Sequence, residues 1–215
     1  MSMYLSCLPI DVSQVRGRTW LANPYRVHQR LLMAFPDGKS ERLLFRIEAG
    51  RTPPRIIVQS SLPADWDRAF LDHPVLLGRT EQKEVSPAPL LGQRLRFAVR
   101  ANPTVRLSRE REVDEDGKRG LGPRVGLLKE KDQRAWLARK GEVGGFRPLA
   151  FEVRPAGQST FAAGAGGDRR TQTHLSTDFE GYLEVTSPEQ FGETLSSGIG
   201  SAKGFGFGLL LVAPS

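Results

Sequence analysis

Apolar and polar residues alternate along the first ninety positions in a way that predicts strands and helices in turn. Residues 3–10 alternate loosely, as a strand does, and residues 24–35 carry apolar side chains on one helical face. Asn23 is a good N-cap, and Pro24 suits the first helical position. The other predicted elements are strands over residues 42–48, 55–59 and 81–85 and a short helix over 65–71. This β-α-β-β-α-β order is that of a ferredoxin-like domain.

The second half opens with residues 94–101, where arginines alternate with large apolar side chains, so we predict a strand with a basic outer face. Residues 108–123 are charged and nearly lack large apolar groups, which predicts a mobile loop. Further strands are predicted over 148–154, 182–186 and 209–212, and helices over 129–140 and 188–195. A long insert between two of these strands contains closely spaced glycines, and we expect it to extend as a flexible β-hairpin.

Residues 198–210 stand out because glycine recurs through them ahead of the last strand. Glycine tolerates positive φ and has no Cβ, so such a loop bends sharply and brings backbone N–H groups close to a partner. These groups suit phosphate, and Lys203 adds charge. The loop lacks the Gly-Lys-Ser/Thr of a P-loop, and it leads into a strand, unlike a Rossmann turn. A tightly bent connection needed only for folding is the alternative reading.

The composition narrows the class of protein. The chain has 215 residues and a formal net charge of +7, with the basic excess concentrated in residues 91–150. A basic middle section is typical of nucleic-acid binding, although an ordinary basic surface is the alternative. Cys7 is the single cysteine, which excludes an internal disulfide and a cysteine metal cage. The sequence has no apolar run long enough to span a bilayer and no signal-peptide pattern. We therefore predict a cytoplasmic protein with no membrane contact.

Three segments carry a family resemblance. Residues 198–210 follow the pattern Gly-x-Gly-x-x-Lys-Gly-x-Gly-x-Gly-Leu-Leu, residues 23–31 contain Asn-Pro-Tyr-x-x-His, and residues 92–103 form an arginine-bearing strand that ends in Asn-Pro. Together, in this order, they resemble the RAMP superfamily of CRISPR-associated RNA-binding proteins and, more closely, the CasE family of endoribonucleases that process CRISPR repeat RNA.

This resemblance implies an α+β fold of two tandem ferredoxin-like (βαββαβ) domains. We predict an N-terminal domain over residues 1–86 that carries the catalytic helix, and a linker over 87–91, where prolines cluster. A C-terminal domain then spans 92–215 and contains the basic insert and the glycine-rich loop. No internal sequence repeat is strong enough to show the second domain by itself.

The chain has three histidines. His73 precedes a proline and is predicted to be a solvated loop residue, and His174 in the insert is predicted to be a plain surface residue. His28 lies at the start of the first predicted helix, three positions after Tyr25, so the two share one side. A histidine in such a position more often has a structural role, but the family resemblance favours a catalytic role for His28.

The resemblance implies an endoribonuclease that needs neither metal nor cofactor, cleaves CRISPR precursor RNA at the base of the repeat stem-loop and leaves a 2′,3′-cyclic phosphate. The protein then retains the guide RNA within a type I surveillance complex, and the isolated chain is expected to be a monomer. No dense Asp/Glu/His cluster appears, which disfavours a two-metal site. His28 is the expected general acid or base, and Tyr25 is expected to orient it or the phosphate.

The residues expected to bind RNA are the cations near the catalytic helix, those of the middle section and the insert, and the glycine-rich loop. Any of the nearest cations could stabilise charge on the scissile phosphate. The set is Arg26, Arg30, Lys129, Lys131, Arg134, Arg154, Arg169, Arg170, Gly198, Gly200, Lys203, Gly204 and Gly206.

Two alternatives stay open. One is a non-catalytic RNA-binding subunit of a CRISPR surveillance complex, against which only Tyr25 and His28 argue. The other is a small-molecule enzyme on the same scaffold, because a fold does not fix a function. That enzyme would need a compact apolar pocket with converging polar groups, and the sequence shows none.

Overall fold

The computed structural model describes residues 2–36, 42–107, 122–163 and 170–215. Its first half forms a four-stranded sheet in the order β2-β3-β1-β4, in which every neighbouring pair is antiparallel. The helices of this half pack on one side of the sheet. The elements are β1 (Met3–Pro9), α1 (Val15–Leu21), α2 (Pro24–Leu32), β2 (Leu44–Glu48), β3 (Arg55–Ser60), α3 (Trp66–Phe70) and β4 (Glu81–Val85).

The second half forms another four-stranded antiparallel sheet, in the order β10-β5-β9-β8. A short two-stranded sheet, β6-β7, lies beside it. The elements are β5 (Arg94–Ala101), β6 (Thr104–Arg106), β7 (Arg124–Gly126), α4 (Glu130–Val143), β8 (Phe146–Ala163), β9 (Arg170–Val185), α5 (Pro188–Ser197), a 3₁₀ turn (Lys203–Phe205) and β10 (Leu210–Pro214).

The two sheets have equivalent topologies. In each, the first strand of the unit lies at the centre between the third and the fourth, and the second strand lies at an edge. This is the arrangement that a β-α-β-β-α-β chain adopts in a ferredoxin-like domain, so the predicted fold class is confirmed. The first sheet ends at Val85 and the second begins at Arg94, while the proposed domain boundaries themselves stay a prediction.

The apolar spacing of α2 explains why it packs where it does. Val27 and Leu31 are one turn apart and fully buried, and Ala34 and Phe35 continue the buried surface just past the helix end. The Asn23 side chain accepts a hydrogen bond from the Arg26 N–H at 3.2 Å, which caps the helix as its sequence predicts. These contacts therefore determine which side of α2 faces the sheet.

Strand β5 shows the predicted division of its two faces. Leu95, Phe97 and Val99 are buried towards the helices, whereas the intervening arginines lie on the outer face. Arg100 on that outer face donates two hydrogen bonds to Asp178, at 2.9 and 2.8 Å. The strand thus contributes both to the core and to a charged sheet surface.

The predicted β-hairpin of the insert is present. Strands β8 and β9 stay paired from Phe146 opposite Val185 out to Ala163 opposite Arg170, with irregularities after Pro148 and Pro155. The two strands are 18 and 16 residues long, so they extend well beyond the sheet. The residues at the tip lie outside the described part of the chain.

Some local predictions were wrong. Residues 15–21, for which no helix was predicted, form the helix α1, and its Trp20 is buried against the core. Helix α2 ends at Leu32 rather than near residue 35, and α4 continues to Val143. Ala135 in α4 is exposed, whereas Trp136 and Leu137 next to it are buried. Most of the expected mobile loop, over residues 108–121, lies outside the described residues.

The two halves contact each other through polar bonds as well as apolar packing. Gln59 is buried and donates from Nε2 to the carbonyl oxygen of Leu195 at 2.8 Å. Arg100 donates to the carbonyl oxygen of Ile47 at 3.1 Å. Met3, from the first strand, packs in the core of the second half. These contacts bring the end of α5 and the glycine-rich loop that follows it next to the first sheet.

Candidate active site

The side of α2 that faces the second half of the protein carries Tyr25 and His28. His28 is half-buried, and its ring lies nearly parallel to that of Phe45, with centroids 6.0 Å apart. Phe45 is fully buried in β2, so it forms a rigid support for the imidazole. The ring is therefore neither enclosed in a core nor free in solvent.

Partial burial lowers the pKa of His28 below its usual value, because the charged imidazolium loses solvation. At neutral pH the ring is accordingly held in its uncharged form. A neutral imidazole can accept a proton from a hydroxyl group, which is what a general base does.

The glycine-rich loop, residues 198–208, has a shape that requires glycine at specific places. Gly198 and Gly208 have φ values of 71° and 87°, in the left-handed region that residues with a side chain rarely adopt. A methyl group at Gly208 would lie 2.4 Å from the carbonyl oxygen of Ile199, and one at Gly198 would lie 2.8 Å from a methyl carbon of Leu44. The loop is thus folded tightly against both halves, and it is not a loose connection.

Within this loop, the 3₁₀ turn packs against α2 at the histidine. A methyl group at Gly204 would lie 3.7 Å from Cε1 and Nδ1 of His28, so the backbone of the loop passes directly beside the imidazole. Phe205 stacks on Tyr25, with ring centroids 6.1 Å apart and planes 28° apart. Two elements distant in sequence thereby form one site.

Lys203 brings positive charge to the start of the same turn. Its ammonium group donates to the carbonyl oxygen of Ser197 at 2.6 Å, which fixes the side chain along the loop. Burial lowers the pKa of Lys203, and the nearby charges of Arg42 and Lys140 lower it further. Sequence reasoning missed these two neighbours, because they lie far from the glycine-rich loop in the chain.

His174 is not the plain surface residue that was predicted. Its ring lies 4.7 Å from that of Phe205, centroid to centroid, and its Nδ1 is 3.2 Å from Nδ2 of the buried Asn102. Burial lowers the pKa of His174 as well. The residue connects the base of the β8–β9 hairpin to the glycine-rich loop, and through Phe205 to Tyr25. No spacing in the sequence indicated this contact.

Arg26 and Arg30 lie on the other side of α2. Each is two positions from His28, which corresponds to a rotation of about 200° around the helix axis. Arg30 donates to Asp72 at 2.6 Å and to the carbonyl oxygen of Ala69 at 3.1 Å, whereas Arg26 is exposed. The structure therefore does not bring these two arginines to the imidazole.

The expected stem-binding cations do not form one surface. Lys129 and Lys131 are exposed at the start of α4, which packs on the buried side of the second sheet through Trp136. Arg154 is on the outer side of that sheet, where it pairs with Glu152 at 2.8 Å. The two groups consequently face different directions.

Arg134 is engaged within the fold. It pairs with Glu130 at 2.7 Å, donates to the carbonyl oxygen of Phe151 at 3.0 Å and lies over the Phe151 ring. Arg169 lies outside the described residues. Arg170 is the first residue of β9, and its backbone pairs with Ala163 in the distal part of the hairpin.

His73 was predicted to be a solvated loop residue, and this was wrong. Its ring packs edge-on against Trp20, with centroids 5.6 Å apart, and it is half-buried. Desolvation lowers the pKa of His73, with further contributions from Arg30 and Arg16. The residue belongs to a depression on the α1 side of α2, away from His28.

The described residues show neither a cluster of metal ligands nor a membrane-spanning helix. They contain no group of three or more His, Cys, Asp and Glu side chains placed to hold a metal ion. None of the helices in the described ranges is long and apolar enough to cross a membrane.

The fold and the site define a class: tandem ferredoxin-like proteins in which a glycine-rich loop of the second domain packs beside a histidine on a helix of the first. Residues 3–214 match the family described as CRISPR associated protein. The chain belongs to this family, and the resemblance inferred from three short motifs is confirmed.

Similar proteins support this assignment over the full length. The chain is 38% identical to the CRISPR-associated endoribonuclease Cse3 of Thermus thermophilus, covering 99% of this chain and 100% of that protein. It is 32% identical to the CRISPR system Cascade subunit CasE of Escherichia coli, with the same coverage. Thermus thermophilus Cse3 bound to an RNA representing a pre-cleavage complex superposes with a TM-score of 0.80, at 36% identity and full coverage of both chains.

Proposed function

We propose that the protein is a metal-independent endoribonuclease that cleaves CRISPR precursor RNA at the base of a repeat stem-loop. The observation that carries the proposal is the half-buried imidazole of His28, which lies against Phe45 and beside the backbone of Gly204 and whose pKa is lowered by burial. The names of the similar proteins from Thermus thermophilus and Escherichia coli support an RNA-directed activity.

RNA supplies its own nucleophile, the 2′-hydroxyl adjacent to the scissile phosphate, so the protein needs only to align it, move protons and offset charge. In this reaction His28 takes the proton of the 2′-hydroxyl. The resulting oxygen attacks the phosphorus and the bond to the 5′-oxygen breaks. That oxygen takes up a proton from water, and the imidazolium of His28 then returns its proton to solvent. The products are a 2′,3′-cyclic phosphate on one fragment and a 5′-hydroxyl on the other.

Tyr25 and Lys203 are assigned to support this step. Phe205 limits the orientations of the Tyr25 ring, so that its hydroxyl can be directed to the phosphate or to His28. Lys203 is the cation nearest in sequence to Gly204, which borders the histidine, and it carries the positive charge that the transition state requires. Arg26 and Arg30, on the other side of the helix, are assigned to binding and not to the reacting phosphate.

The stem of the RNA is assigned to the long hairpin and the helix side of the second domain. An A-form stem is recognised mainly by its shape and phosphates, which suits an extended arm such as β8–β9 together with Lys129 and Lys131. Gly198, Gly200 and Gly206 shape the loop that receives the strand at the cut. After cleavage the protein keeps the guide RNA as part of a surveillance complex and acts in the cytoplasm. The Escherichia coli relative is named as a subunit of Cascade, which supports assembly into such a complex.

The decisive experiment incubates the protein with a repeat stem-loop RNA in EDTA. Wild type should cut once and leave a cyclic phosphate, and RNA with a 2′-deoxy nucleotide at the cut should bind but stay intact. His28→Ala should retain RNA affinity and lose about 10²–10⁴-fold in rate. Binding without any product from wild type would instead identify a non-catalytic RNA-binding subunit, and cleavage by His28→Ala at the wild-type rate would remove this residue from the mechanism.

The other alternative, a small-molecule enzyme, has less support. The cleft between the two halves has a volume of about 1020 Å³, but eight of its nineteen lining residues are charged, among them Arg46, Arg96 and Glu180. Small-molecule sites are mostly apolar with a few polar groups.

A further inference from the structure

A second basic site lies on the α1 side of α2. It is a depression of about 630 Å³, which we call the arginine pocket, and it is bordered by Arg16, Arg26, Arg30, His73, Val15 and Met33. His28 is not among the residues that line it. The volume is in the range of pockets that hold a small ligand or a nucleotide, and is too small for a double helix.

The charge of the pocket favours an anion. Within the described part of the chain, Arg16 and Arg26 form no ion pair, whereas Arg30 is paired with Asp72 at the rim. The Nε2 atom of His73 is buried, and no described residue forms a hydrogen bond with it. Cations held close together without partners attract phosphate groups, and arginine does so in a bidentate geometry.

The apolar part of the pocket favours a nucleotide over a bare anion. Val15 is 68% exposed and Met33 is 47% exposed, so both offer apolar surface to a planar group. A site for single-stranded RNA needs cations that bind the phosphate and an apolar surface that packs against the base, and the pocket has both. An acidic peptide would use the arginines and leave this apolar surface uncovered.

The position of the pocket relative to His28 identifies which RNA segment reaches it. Gln29 is adjacent to His28 in the helix and also borders the pocket. A helix with its side chains is about 10–12 Å across, a distance that a single strand of a few nucleotides covers. A strand leaving the scissile phosphate can thus pass over Gln29 to Arg26 and Arg16.

We propose that the arginine pocket binds the single-stranded RNA that continues past the scissile phosphate, on the side away from the stem. The proposal rests on the proposed function, because it takes its direction from the cleavage site at His28. Phosphates of the flanking strand bind Arg16 and Arg26, and one base packs against Val15 and Met33. The pocket thereby holds the strand under tension across the helix and favours the in-line geometry of the cut.

The test compares two RNAs with a 2′-deoxy nucleotide at the cut, one ending there and one extended by three nucleotides. In wild type the extension should tighten binding about tenfold, as a charge-assisted contact does, and steepen the salt dependence by about 0.7 per phosphate held. In Arg16→Ala most of this gain should disappear. Arg79→Ala removes one exposed charge outside the pocket and should keep the gain.

The outcomes separate the two proposals. The pocket assignment would be overturned if the extension increased RNA affinity equally in wild type and Arg16→Ala. It would also be overturned if Arg79→Ala lost this increase in affinity as Arg16→Ala does. If an extension without bases increased the affinity as much as the normal extension, the proposed packing of a base against Val15 and Met33 would be wrong. If the RNA ending at the cut fails to bind wild type at all, the proposed function itself is wrong. Thermal unfolding of Arg16→Ala shows that the variant is folded.

Discussion

The ring of Tyr25 stacks on the ring of Phe205, with centroids 6.1 Å apart and planes 28° apart. Tyr25 belongs to α2, which packs on the first sheet, and Phe205 belongs to the glycine-rich loop before the last strand. Phe205 also contacts His174 at the base of the long hairpin, 4.7 Å away between centroids. The three rings form a continuous contact from the proposed RNA-binding arm to the proposed catalytic helix.

This contact predicts that Phe205→Ala slows cleavage more than it weakens binding. Without the ring, the Tyr25 side chain gains orientations, and a misplaced catalytic group can cost on the order of 10²-fold in rate. Phe205→Tyr keeps an aromatic ring and should restore most of the rate. Single-turnover cleavage and RNA affinity should be measured for both variants. Equal rates for Phe205→Ala and wild type would show that the stacking does not position Tyr25.

Elements could be predicted from the sequence where their apolar spacing and capping residues agree with how they pack in the fold. Val27 and Leu31 lie one turn apart and are buried, and Asn23 caps the helix, so α2 could be predicted from its own residues. The start of α5 follows the same rule, because Ser187 precedes it and accepts a hydrogen bond from the Gln190 N–H.

The site itself could be predicted only in part. His28 and Tyr25 were proposed from their motif and stay a prediction, whereas Phe45 and His174 join the candidate site through contacts between distant segments that no spacing encodes. The same limitation affected Arg30, whose partner Asp72 lies 42 positions away. Charge counted along the sequence indicates how many cations exist, whereas the side of the helix on which each one lies depends on packing.

Lys203 is predicted to stabilise charge on the reacting phosphate. Lys203→Met should reduce the cleavage rate at saturating enzyme by about 10²-fold, the usual effect of removing one donor to a transition-state oxyanion. Lys203→Arg should recover part of that loss. Lys83→Met removes an exposed lysine on β4 and serves as the charge-matched control.

Because Lys203 also donates to the carbonyl oxygen of Ser197, thermal unfolding should accompany the rates. A Lys203→Met protein that is less stable yet cleaves normally would limit this residue to a structural role.

Gly208 is predicted to be essential for the shape of the loop. With φ at 87° and a methyl position 2.4 Å from the carbonyl oxygen of Ile199, Gly208→Ala should lower the free energy of unfolding by at least about 1–2 kcal/mol. Gly192, in α5, has nothing within 4 Å of its methyl position, so Gly192→Ala should be neutral or slightly stabilising. Urea unfolding compares the two. Similar stabilities would mean that the loop accommodates a side chain by moving.

The pH dependence of cleavage should reveal the lowered pKa of His28. A base must be uncharged to take a proton, so the rate should fall as the pH drops through the pKa of the imidazole. Burial favours the neutral form, and the acidic limb measured with subsaturating enzyme should therefore lie below pH 6.5, the usual pKa of histidine. At saturating enzyme the bound phosphate stabilises the imidazolium, so the limb should move to higher pH.

The residual activity of His28→Ala should lack this limb, which assigns it to His28 rather than to His174, whose pKa is also lowered. His174→Gln is the matched variant and should keep the limb at the wild-type position. A rate that rises as the pH falls would contradict the assignment of His28 as the base, because only a group that donates its proton becomes more effective when it is more fully protonated.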